Sequence, residues 1–224
     1  MTSETVSRTY RVVMAVATPI VRWWGRLEVE GGSLATRPGP VLLISNHDSA
    51  WDPLVIGVAV PHRQVRALAK SSLWSNRLLA WVLDHMGQIP IERGRADLAA
   101  LSAAVDQLEQ GHCVGVFPEG TVSRGRALRP LSGAGRLALA VPGTRLVCAA
   151  VTGPVDIVRF PRRPRLRVQL FEPSTGPARS GETAIGLTRR VMGEVRDRAP
   201  AAVPGRRRAA ARFARLAAEA RPTG

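Results

Sequence analysis

From residue 41 to residue 198, short apolar β-forming runs alternate with stretches of helical periodicity, and this alternation restricts the fold more than any other feature. Strands separated by helices cannot close as tight hairpins; each helix returns the chain to the same edge, so successive strands lie parallel. Val41–Ser45, Val65–Ala69, Gln88–Ile91, Cys113–Phe117, Arg145–Val151 and Leu166–Phe171 read as strands. Pro53–Val60, Arg77–Met86, Ala96–Glu109, Gly135–Val141 and Glu182–Arg198 read as helices, with Gly111 as a C-terminal stop after the third. The expected fold is a single α/β domain over residues 37–199, with a mostly parallel central sheet flanked by helices.

The two ends differ from this core. Residues 1–36 are expected to form an N-terminal interfacial helix and linker: the apolar run Val12–Val21 lies between Arg11 and Arg22 and leads into Trp23 and Trp24. Tryptophan rings suit headgroup depth and arginines meet anionic lipid, but the same run could equally pack on the core, and both readings stand. No stretch has the ~18 uncharged apolar residues that span a bilayer, and no secretory signal is expected. Residues 200–224 open on a Pro/Gly hinge, Pro200–Gly205, and continue in Arg206–Arg221 as an Arg- and Ala-rich segment, a basic tail or a surface helix.

The net charge of +15 calls for a polyanion: nucleic acid, anionic lipid or a phosphorylated substrate. One Tyr and four Phe are few for base stacking, and the basic residues are dispersed, so nucleic acid is not the expected partner. Part of the basicity is compositional, since 31 of the 32 basic residues are arginine; Lys70 is the single lysine. Cys113 and Cys148 sit in apolar runs and read as reduced core thiols, which mildly favours the cytosolic side.

Chemistry concentrates where strands end. "SNHDSAWDPL" places His47 and Asp52 on the turn after the first strand, the edge at which parallel sheets carry their sites. An imidazole there can take a proton from a hydroxyl while a carboxylate holds its other N–H. The nucleophile would be a bound acceptor's hydroxyl; Ser49 is a covalent alternative but suits a helix cap as well. "VFPEGTVSRGR" offers Glu119, Gly120, Thr121, Arg124 and Arg126 after another strand, and "GQIPIERGR" offers Arg93 and Arg95, whose guanidinium forks fit a phosphate. Two rival readings remain open at this level: a metal-dependent phosphohydrolase using His47, Asp48, Asp52 and Glu119 as ligands, and a lipid-binding module without catalysis. His62, His85 and His112 form no ligand set by spacing.

Asn46-His47 through Asp52, Gly87 through Arg93, and Phe117-Pro118-Glu119-Gly120-Thr121, in this order and spacing, resemble the blocks of the PlsC-type glycerolipid acyltransferases, over roughly Val41–Val151. The resemblance implies transfer of a fatty acyl group from acyl-CoA or acyl-carrier protein to a lysophospholipid hydroxyl, with 1-acylglycerol-3-phosphate as the default acceptor. It implies His47 as general base, Asp52 as its orienting acid, and Arg93 with Glu119, Gly120 and Thr121 around the acceptor phosphate; Asn46 and Arg124 complete the substrate contacts. Lys70 falls where the family carries a lysine, as a compact cation for the thioester oxyanion or a phosphate. No metal and no resident cofactor are implied, and the expected location is peripheral, on the cytoplasmic face of the membrane. Two departures bear on the acceptor: Val122 follows Glu-Gly-Thr where the family has arginine, and the later block reads Val151-Thr152-Gly153-Pro154.

Overall fold

A computed structural model describes residues 6–92, 97–161, 163–179 and 181–202. Its centre is β2 (Val41–Ser45), buried along its whole length, as a strand covered by helices on both faces must be. Beside it run β5 (Cys113–Val116) and β6 (Arg145–Thr152), both parallel to it. β3 (Val65–Lys70) follows outside β5, and β4 (Ile89–Ile91) forms one edge. Pro90 in β4 is tolerable there because an edge strand need not donate on both sides. On the other side β7 (Arg167–Phe171) pairs antiparallel with β6, and β1 (Glu28–Glu30) closes the sheet parallel to β7. The full order is β1-β7-β6-β2-β5-β3-β4.

Each face of the sheet has its own core. On one, α5 (Leu98–Glu109), α6 (Gly133–Ala140) and α7 (Ala184–Arg198) cover Leu42, Ile44, Val114, Val116 and Cys148. On the other, α1 (Arg8–Thr18), its π-helical continuation Pro19–Trp24, and α3 (Asp52–Ala59) cover Val41, Leu43, Val55, Cys113 and Val147. The caps are local and legible: Ser7, Asn76, Asp97 and Thr183 each accept a backbone N–H in the first turn of the helix they precede, including α4 (Arg77–His85) for Asn76. The remaining short elements are a helical turn, α2 (Ser33–Thr36), and 3₁₀ turns at Ser71–Ser75 and Pro154–Asp156.

The expected strands and helices of the 37–199 region are present with ends shifted by a residue or two. The segment read as linker differs: Glu28–Glu30 is a strand, because Arg167 and Gln169 of β7 present an edge whose side chains bond Glu30. α1 also makes core contacts, burying Tyr10 and Ala17, and Gly57 makes this possible, since a Cβ there would sit 2.7 Å from the Met14 sulfur. Its opposite face leaves Val12 and Val16 exposed, and Ile20 and Trp23 continue that stripe through the π turn. No helix among the described residues is long and apolar enough to cross a membrane. Cys113 and Cys148 are buried and form no disulfide, and burial pushes Cys148 up to about 12. The basic segment expected beyond residue 205 lies outside the described residues, as does Arg93.

Candidate active site

Because β2, β3, β4 and β5 run parallel, their C-terminal ends open on one edge, which collects the loops carrying His47, Lys70, Glu92 and Glu119. His47 stands on the turn between β2 and α3, and Asp52 opens α3. The imidazole Nδ1 lies 3.1 Å from Asp52 Oδ2. That oxygen also accepts the backbone N–H of Asp48 at 2.7 Å and of Ser49 at 2.8 Å. With an ionised Asp52, Nδ1 carries the proton and Nε2 keeps its lone pair. Burial pushes the Asp52 carboxyl above the usual carboxylate range, against the pull of the His47 ring and the two N–H groups. Its other oxygen, Oδ1, is buried without a hydrogen-bond partner.

Beneath the pair lies an ionic cluster. Arg196, from the last turn of α7, reaches Asp48 at 2.9 and 3.0 Å and Glu119 at 2.7 and 2.6 Å. Glu119 Oε2 in turn accepts the His47 backbone N–H at 3.1 Å, and Ser123 N–H donates to the His47 carbonyl at 2.7 Å. Ser123 Oγ donates to Asp48 Oδ1. Burial pushes Glu119 up even so, with Arg196 pulling it back; Arg196, although burial opposes it, is held up by Asp48 and Glu119. Two carboxylates thus share one guanidinium beneath His47.

This geometry alters two expectations. Asn46, expected to touch substrate, is fully buried: its amide pairs with the Val151 backbone at 2.8 and 2.9 Å and with Asp48 at 3.1 Å, joining β2 to β6. Glu119, expected at the acceptor phosphate, is likewise turned inward, with its oxygens occupied by Arg196 and His47. The groups left at the opening are Thr121, Arg124 and Lys70, all exposed, and Gly120, whose φ of 67° lets the chain turn after Glu119. Ser49 is drawn off toward the Pro154 carbonyl and caps the Trp51 N–H. Arg196 went unnoticed in the sequence, although Thr188, Met192 and Arg196 recur at four-residue spacing along the buried stripe of α7.

The ring of Phe117 lies tilted 4.5 Å from that of His47, centroid to centroid. Behind it runs an apolar cavity lined by Tyr10, Met14, Leu54, Ile56, Ala67 and Gly115 among others. Among the described residues no group of three or more His, Cys, Asp or Glu is arranged to hold a metal ion. Asp48 and Glu119, two of the ligands the phosphohydrolase reading requires, are both engaged by Arg196.

Fold and site together define an α/β domain with a buried His-Asp pair at the open edge of a parallel sheet, beside an apolar cavity. The acyltransferase family profile matches residues 26–155, more than half of the chain, and the protein belongs to that family. It is similar to the lyso-ornithine lipid O-acyltransferase of Pseudomonas aeruginosa, with 31% identity over 57% of this chain and 53% of that one. It is also similar to the 1-acyl-sn-glycerol-3-phosphate acyltransferase of Streptococcus pneumoniae, with 24% identity over 59% and 49% of the two chains. The matched region thus spans about half the length of these curated relatives. The crystal structure of the 1-acyl-sn-glycerophosphate acyltransferase PlsC from Thermotoga maritima shares the fold, with a TM-score of 0.66 and 18% identity over 84% of this chain and 77% of that one.

Proposed function

We propose that this protein transfers a fatty acyl group from acyl-CoA or acyl-carrier protein to the free hydroxyl of a lysophospholipid, 1-acylglycerol-3-phosphate first among candidates, giving phosphatidic acid. The observation that carries the reading is the His47–Asp52 pair, 3.1 Å apart, one aromatic ring away from an apolar cavity, in a chain of the acyltransferase family. His47 Nε2 takes the proton of the acceptor hydroxyl, whose oxygen attacks the thioester carbonyl. Asp52 holds the imidazolium through Nδ1–H. Collapse of the tetrahedral intermediate breaks the C–S bond, and the leaving thiolate takes the proton back from His47. In this scheme Lys70 meets the developing oxyanion or a donor phosphate, and Arg93, Gly120, Thr121 and Arg124 meet the acceptor headgroup. In this reading the first carbons of the acyl chain lie against Phe117 and the small apolar cavity behind it. The scheme needs no metal and no resident cofactor.

A second acceptor class has a specific basis: one relative is a lyso-ornithine lipid acyltransferase, and Val122 stands where the family has arginine. The exposed stripe Val12, Val16, Ile20 and Trp23, flanked by Arg11 and Arg22, fits a peripheral position on an anionic membrane surface, its cytoplasmic face in our reading. The test is release of free CoA from long-chain acyl-CoA with lysophosphatidate or lyso-ornithine lipid, for wild type and His47→Ala, with and without chelator. Acceptor-dependent release, lost in His47→Ala and indifferent to chelator, is expected. No release with any lysolipid and either donor would leave a non-catalytic lipid-binding module, and loss only with chelator a metal hydrolase.

A further inference from the structure

The loop after β6 carries an exposed aromatic knob that the catalytic scheme does not use. Val158 is 72% exposed and Phe160 82%, and Phe160 packs on Trp24, the neighbour of Trp23, itself 75% exposed, although 136 residues separate Trp24 from Phe160 in sequence. The assembly is built and held. Trp24 Nε1–H donates to the Ile157 carbonyl at 2.8 Å, and the Trp24 and Phe160 rings stack with centroids 5.9 Å apart and planes 14° apart. The Arg163 guanidinium lies 5.6 Å from the Trp23 ring centroid and 6.0 Å from that of Trp24, and it donates to the carbonyls of both residues. Arg26 donates back to the carbonyls of Arg163 and Pro164 at 2.9 and 3.2 Å.

Water penalises such an arrangement: three large apolar side chains are presented outward on a scaffold whose hydrogen bonds are spent on keeping them there. The same chemistry fits the boundary of a bilayer. Aromatic rings favour headgroup depth, the apolar tips reach the acyl region, and Arg26, Arg159 and Arg163 meet lipid phosphates. Arg163, which lies against both the Trp23 and the Trp24 ring, sits between this knob and the outward stripe of α1, to which Trp23 belongs. The start of the same loop abuts the catalytic turn, where Ser49 Oγ donates to the Pro154 carbonyl at 3.2 Å.

We infer that Val158 and Phe160 form a second point of membrane insertion beside the outward stripe of α1, on a loop that begins against the His47 turn. The inference rests on the lipid-acceptor reading above, but its test does not depend on turnover. Since Cys113 and Cys148 are buried, Phe160→Cys can be labelled with an environment-sensitive fluorophore. Vesicles of phosphatidylcholine with phosphatidylglycerol should shift the probe's emission to the blue. Val158→Ser with Phe160→Ser should weaken vesicle partitioning roughly tenfold or more, from the apolar area withheld from lipid. CoA release with a short-chain acceptor below its micelle concentration should stay unchanged. A probe that remains in water while Val12→Ser with Val16→Ser abolishes vesicle binding would overturn the inference. So would a probe that ignores vesicles and responds to an acidic acyl-carrier protein, which would make the knob a protein dock. If no acceptor turns over but the probe enters vesicles, the insertion stands and the acyltransferase reading fails.

Discussion

Replacing Arg196 by alanine removes the one cation shared by Asp48 and Glu119. The Arg196 side chain is 19% exposed, and those of Asp48 and Glu119 are 5% and 1% exposed, so water can replace little of the lost interaction. Glu119 would keep only the His47 N–H, and Asp48 only Asn46 and Ser123. Removing one partner of a buried ion pair costs about 3–5 kcal/mol, and the partly open edge near Arg196 argues for the lower end, about 3 kcal/mol. For a chain of this size that lowers Tm by roughly 6–12 °C. The sign with pH follows from Glu119. Its folded pKa is raised by burial and restrained by Arg196, so the variant's Glu119 rises further. An acid with a raised folded pKa favours the folded state at low pH and loses that contribution as pH climbs through the folded value. The deficit of Arg196→Ala should therefore be largest at pH 8 and shrink toward pH 5. Because Glu119 and Ser123 hold the His47 backbone, kcat should fall more than KM changes. Arg196→Lys should recover only part, since an ammonium cannot fork to two carboxylates. Urea unfolding at both pH values, with steady-state kinetics, checks this. A deficit below about 1 kcal/mol at pH 8, or one that grows on acidification, would refute the reasoning.

Two further outcomes are expected. Asp52→Asn should lower kcat by roughly 10²–10⁴-fold, because a neutral amide does not stabilise the imidazolium. Burial already raises Asp52, so the acid limb of the wild-type rate profile should lie above the ordinary carboxylate range, and the variant should unfold at the same or a higher urea concentration at pH 8; clear destabilisation there would contradict the buried-charge account. Gly115→Val should fill the cavity behind Phe117, since its new Cβ would lie 2.9 Å from Val65 Cγ1; competition between long-chain and short-chain acyl-CoA should turn toward the short chain, and an unchanged preference would place the acyl chain elsewhere.

The site was legible in unequal parts. His47, Asp52 and the Glu119-Gly120-Thr121 turn could be placed because they follow apolar strands at local spacing, and parallel strands bring their C-terminal ends to one edge. What each side chain faces could not be read. Asn46 and Glu119 look like ligands as letters, yet their polar atoms are taken up by the backbone of Val151 and the side chain of Arg196. The metal-ligand possibility for Asp48 and Glu119 arose from the same blindness to a distant cation.

The sequence alone determined the class of sheet, most element positions and the edge at which chemistry occurs, since periods of two and 3.6 residues, caps and turn residues act within a few positions. Only the tertiary structure decided which of the 31 arginines joins Asp48 and Glu119 beneath His47, since Arg196 lies 148 residues from Asp48 and 77 from Glu119 and is selected by the docking of α7. It decided likewise that β7 reverses direction and that Glu28–Glu30 becomes an edge strand, since pairing depends on which unpaired backbone edge lies within reach. It also brought Trp24 and Phe160 together, two aromatic residues whose sequence surroundings do not indicate that they meet.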